Sequence, residues 1–173
     1  MLMRAIPLTV TALAAALLLT ACGGGGSKSG DKNSSGCEIG GVSVQIGSAS
    51  VAPKAGDTGE IPVSITNQSK PCTLDHFAGV SLNTGKAKTD VPALNGAKAQ
   101  QLKLAKGDSA SFTISYVRGE AGGKNSLAVK SVNITLPGAT ASRSFPWSYG
   151  PVATQPGGTG PNASVSAFQQ VGD

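Results

Sequence analysis

The sequence predicts an all-β domain built as an antiparallel β-sandwich, and three observations carry that prediction. From Glu38 onward apolar residues recur at every second position, with no helical pattern of useful length. The intervening positions are rich in Ser and Thr, so each run has one face for a core and one for water. Clusters of Gly, Pro, Asn and Asp punctuate the runs at short spacing, as turns between consecutive strands require.

Taken in order, Val42, Val44 and Ile46 alternate with Ser43 and Gln45. Ile61, Val63 and Ile65 follow on one face, opposed by Pro62, Ser64 and Thr66. Because Pro62 has no N–H to give to a ladder, this strand is expected at a sheet edge or with an irregular start. Shorter pieces lie at Val80–Leu82 and Gln101–Leu104. The clearest strand runs from Ser109 to Val117, with Ala110, Phe112, Ile114 and Tyr116 inward. Val132, Ile134 and Leu136 mark another, and Phe145, Trp147 and Tyr149 the last strong one. Gly122 and Gly123 read as a hairpin turn, and 151–162 as a loop. Residues 163–171 read as a final strand or a polar tail, the strand being preferred. About seven to eight strands in two packed sheets match an immunoglobulin-like sandwich.

The amino terminus has a different character. Arg4 precedes an apolar run from Ile6 to Leu19, too short for a spanning helix, which needs about 20 apolar residues. It has the dimensions of a signal-peptide core. Leu19-Thr20-Ala21-Cys22 looks like a lipobox, with small residues before the cleaved bond and a thiol to accept a diacylglyceryl group. The alternative is an ordinary signal peptide with an incidental Cys. Two acyl chains suffice for stable attachment, each buried methylene contributing about 0.8 kcal/mol. The expected organisation is a cleaved signal over 1–21, lipidated Cys22 with a tether over 22–36, and a sandwich over 37–172. The expected location is the extracytoplasmic face of the cell membrane. The tether is composed of Gly, Ser, Lys, Asp and Asn, and its random-coil reach is on the order of 20 Å.

Of three cysteines, Cys22 is assigned to lipid, leaving Cys37 and Cys72. Outside the cytoplasmic membrane such a pair tends to be oxidised, and one internal pairing exists. A bridge there stabilises by roughly 3–4 kcal/mol in the chain-entropy model. Two independent buried thiols are the other reading.

The string Ile65-Thr66-Asn67-Gln68-Ser69-Lys70-Pro71-Cys72-Thr73-Leu74 resembles the strand–turn–Cys signature of an actinobacterial family called domain of unknown function 4232. Leu104-Ala105-Lys106-Gly107-Asp108-Ser109-Ala110 resembles that family's Leu-x-x-Gly-x-x-Ala turn. Cys37 near the start and Leu136-Pro137-Gly138 late in the chain also fit. The likeness spans roughly Cys37 to Gly172. The chain departs from the family in two places. A frequent second cysteine pair is missing, and His76-Phe77-Ala78 stands where Gly-Tyr-Pro often follows the second Cys. The resemblance implies an envelope location and a fold, and no mechanism.

A search for chemistry in the residues returns little. The only histidine, His76, follows Cys72 by four positions. Oxidised, Cys72 is no nucleophile, and no Gly-x-Ser-x-Gly elbow supports a serine acting with His76 and Asp75 or Asp90. No catalytic residue, metal site or cofactor is therefore assigned: zinc needs three or four ligands, and Asp57, Glu60, Asp75 and Asp90 are too sparse for calcium. Gly23–Gly26 lack the Gly-Lys-Ser/Thr ending of a phosphate cradle. Removing 1–21 takes Arg4 from the 14 basic residues, leaving 13 against nine acids and a formal charge of +4. The lysines show no stripe with interleaved aromatics, so nucleic acid is not an expected partner. Such a charge suits anionic wall polymers or lipid headgroups, and equally serves solubility.

One feature admits a binding role. Phe145, Trp147 and Tyr149 either line a groove for a ligand or fill the core, and with four Phe, two Tyr and one Trp the core needs them. The expected function is a non-enzymatic binding or structural module of the cell envelope, with an envelope protein or wall polymer as partner. The alternatives are a carrier of a lipid or other apolar ligand, whose cavity would be lined by Trp147, and an unrecognised hydrolase.

Overall fold

The structure, a computed structural model, describes residues 36–158 and 160–172. The signal segment, Cys22 and the tether up to residue 35 lie outside the described residues. After a single 3₁₀ turn at Ile39–Gly41 the chain is all strand and loop. The strands are β1 (Val42–Ile46), β2 (Thr58–Asn67), β3 (Cys72–Leu74), β4 (Gly79–Asn83), β5 (Lys88–Val91), β6 (Leu102–Leu104) and β7 (Ser109–Val117). They continue with β8 (Ser126–Leu127), β9 (Ser131–Thr135), β10 (Ser142–Pro146), β11 (Val152–Ala153), β12 (Ala163–Val165) and β13 (Gln169–Gln170).

One sheet has the order β1-β2-β7-β12, with β13 also on β7, and the other the order β10-β9-β4-β5. All pairings are antiparallel. Because β12 and β13 act as one broken strand, the two sheets hold eight strand positions, as expected for the sandwich. Two short ribbons, β3-β6 and β8-β11, complete the framework.

Alternation places the core. Along β7, Ala110, Phe112, Ile114 and Tyr116 are buried, and so are Ile61, Val63 and Ile65 of β2 opposite them. Val80 and Leu82 of β4 and Val132 and Ile134 of β9 supply the facing layer. Each large apolar side chain so buried contributes about 1.5–3 kcal/mol. With this many, the packed layer dominates any single cross-link.

Three expectations change in detail. β2 is not an edge strand: β1 pairs with it on one side and β7 on the other. Pro62 is tolerated because β1 ends at Ile46, opposite Val63. The Pro62 carbonyl accepts from Gly47 N at 2.8 Å, so its missing donor faces the side where the neighbouring strand has stopped. The loop containing Gly122 and Gly123 does not close a hairpin onto β7, since it leads to β8, which pairs with β11. Finally, the aromatic strand ends at Pro146, so Phe145, Trp147 and Tyr149 do not share one strand face.

The carboxy-terminal stretch returns as strand, in two pieces. Val165 and Phe168 are buried, Phe168 meets Phe112 edge-on at 5.5 Å, and Ser166 Oγ accepts from Thr113 N at 2.9 Å where the pairing breaks.

Candidate functional site

Strand direction divides the sandwich into two ends. At the first, the chain enters through Gly36, which bridges Thr73, and Cys37 N donates to Thr73 O at 3.0 Å. Cys37 and Cys72 form a disulfide. β3 pairs with β6 in the register Cys72↔Leu104 and Thr73↔Lys103, which turns Lys103 outward.

The residue that organises this end is Asn67, fully buried at the last position of β2. Its Nδ2 donates to the carbonyls of Lys70 (3.0 Å), Leu104 (3.0 Å) and Ala105 (3.2 Å), and its Oδ1 accepts from Ser69 N at 3.0 Å. Its main chain also bonds the second turn, donating to Asp108 O and accepting from Gly107 N. The strand–turn–Cys string and the Leu-x-x-Gly-x-x-Ala turn are therefore one structural unit joined through Asn67. The Asn67 side chain is committed to this role. The sequence carried a signal for it: Asn67 continues the inward series Ile61, Val63, Ile65, where a polar residue must have buried partners.

Two open clefts flank this end. One, of about 360 Å³, lies between residues 36–40 and 137–141. The other, of about 400 Å³, runs along Pro71–Thr73 and Lys103–Ala105. His76 stands on the surface, 79% exposed, with Nδ1 3.3 Å from Asp75 Oδ1. It is the one non-glycine residue with positive φ among those described, at 69°. Among the described residues no group of three His, Cys, Asp or Glu is placed to hold a metal ion.

The opposite end is aromatic. Trp147 is 7% exposed, stacks edge-on against Tyr116 at 5.3 Å and Tyr149 at 5.0 Å, and donates its Nε1–H to Gly150 O. Tyr116 donates its hydroxyl to Tyr149 O at 3.0 Å and accepts from Ala52 N at 3.3 Å. Phe145 and Tyr149 are partly buried at the margin. Between core and groove, Trp147 takes the core, and none of the three clefts described is lined by it.

Gly59 lies opposite Tyr116 in the β2–β7 register, and a Cβ there would overlap the tyrosine ring. Burial, then the neighbouring Tyr116, raise the Tyr149 phenol above its ordinary pKa. A third cleft, of about 440 Å³, opens here beside Arg118, Lys124 and Asn125. The Arg118 guanidinium is tied inward to Ala52 O at 2.6 Å.

Compared with known protein families, residues 37–169 match the model described as Domain of unknown function (DUF4232). No curated protein and no solved structure matches the chain.

Proposed function

We propose, starting from the fact that this chain belongs to the DUF4232 family, that it is a non-enzymatic binding or structural module of the cell envelope, anchored through lipidated Cys22. The observation that carries this reading is the Cys37–Cys72 disulfide at the point where the chain enters the domain. A stable bridge is expected of an oxidising compartment, and the residues immediately before it are the Gly/Ser-rich stretch that follows the lipobox. The role of Asn67 adds support, because it accounts for the family's two motifs as architecture and assigns no chemistry to them.

Metabolic labelling with a palmitate analogue, followed by cell fractionation, tests the anchor. The wild-type chain is expected to be labelled, shortened by 21 residues' worth of mass (about 2 kDa at roughly 110 Da per residue) and membrane-bound. Cys22→Ala is expected to be unlabelled, and either uncleaved or shed. A Cys22→Ala protein of mature size still held in membranes contradicts the reading. For the non-enzymatic half, esterase and peptidase screens on wild type and His76→Ala are expected to show no turnover. Activity lost in His76→Ala reverses that conclusion.

A further inference from the structure

Charge is divided unevenly between the two ends. The end where the chain enters carries Lys70, Lys103, Lys106 and Arg143 against Glu38, Asp75 and Asp108, an excess of one positive charge. The opposite end carries Lys54, Lys86, Lys88, Arg118, Lys124 and Lys130 against Asp57, Glu60 and Glu120, an excess of three. Lys98 and Asp90 lie between them and cancel. Charge placed for solubility alone has no reason to segregate in this way.

Three of the lysines form one surface. Lys86 sits in the β4–β5 turn and Lys88 opens β5 opposite Asn83. Lys130 donates its N–H to Asn83 O at 2.8 Å, and its ammonium reaches over Gly85 of the same turn. All three are exposed. Among the described residues no lysine or arginine has a carboxylate within ion-pair distance. Their positive charge is thus unneutralised by the domain itself.

We propose that this end is the docking surface for a phosphate-rich anionic polymer, with Lys86, Lys88 and Lys130 as its principal contacts. The inference rests on the anchored-module reading above for its orientation. The chain enters the domain through Gly36 at the other end, and β2 alone, at ten residues, spans about 33 Å between the two. The basic end is therefore the one farther from the point of attachment, which favours a polymer over the lipid of the chain's own anchor.

The test uses the full mature chain from residue 22, with Cys22→Ser, titrated with long-chain inorganic polyphosphate at several salt concentrations. Three lysine contacts release roughly 0.7–0.9 counterion each, so affinity should fall about 30-fold between roughly 50 and 200 mM salt. The triple variant Lys86→Gln, Lys88→Gln, Lys130→Gln should lose most of the affinity and flatten the salt dependence. The matched variant Lys70→Gln, Lys103→Gln, Lys106→Gln should stay within about twofold of wild type. Equal losses from the two triples, or salt-independent binding, overturn the proposal. So does binding to phosphatidylglycerol vesicles through the same lysines without binding to polyphosphate. Because the tested protein is unlipidated, a failed anchor leaves these outcomes unchanged, and failed polymer binding leaves the labelling of Cys22 unchanged.

Discussion

The two ends of the sandwich are held by different physics. Where the chain enters, a covalent bond and a buried amide tie neighbouring turns together. At the other end, three edge-on rings close the core over a glycine, and the Tyr116 hydroxyl and Trp147 indole hold them to main-chain carbonyls. The contrast teaches why one end of this chain reads as a string of residues and the other does not. A polar hub tolerates few residue types, because each lone pair and proton needs a partner, so it leaves a legible string. An aromatic closure accepts many shapes of similar volume and leaves a weaker trace.

Substitutions at the hubs should break this comparison in graded steps. Asn67→Ala strands three carbonyls and is expected to cost about 3–5 kcal/mol by denaturant unfolding. Asn67→Asp should recover little, since a carboxylate has no protons for those carbonyls. Next comes the paired change Cys37→Ser with Cys72→Ser, expected to cost about 3–4 kcal/mol for a separation of 35 residues. A loss near zero for either would mean that this end is not held as described.

At the aromatic end, Gly59→Ala should cost about 1–3 kcal/mol by crowding the Tyr116 ring. The same change in a Tyr116→Leu background should cost less, and a double-mutant cycle measures the coupling. Additive costs would remove the glycine from the aromatic closure.

The smallest expected effect is a pH dependence. The folded state raises the Tyr149 pKa above 10.0, so it holds the phenolic proton more tightly than the unfolded chain does. The resulting stabilisation is present in full below the unfolded value and is lost as pH rises through the folded one. Melting temperature against pH should therefore fall above about pH 10, and Tyr149→Phe should make that limb shallower. An unchanged alkaline limb would show that burial of the hydroxyl contributes nothing.

Much of the fold was legible because period-two alternation is a strong signal where strands are long. Ser109–Val117 reads directly from its own side chains and is the strand found. The disulfide followed from assigning one cysteine of three elsewhere. What could not be read was short or collective. β3, β8 and β11 have two or three residues, too few to alternate, and owe their existence to partners far along the chain. The alternation of Phe145, Trp147 and Tyr149 suited a longer strand. It stops at Pro146, beyond which Trp147 N bonds Lys130 O and the Trp147 indole bonds Gly150 O. The charge division was invisible too, because Lys86 and Lys130 share an end only once β4 and β9 pair. Along the chain their lysines look scattered.

The division of labour between the ends is the central claim, and one paired measurement addresses it most directly. Unfolding midpoint and polyphosphate affinity would be taken on Asn67→Ala and on the Lys86, Lys88, Lys130 triple. Asn67→Ala is expected to lower the midpoint while its folded fraction binds as wild type does. The lysine triple is expected to keep the midpoint and lose the binding. A folded Asn67→Ala protein that no longer binds, or a lysine triple that binds normally, would contradict the account.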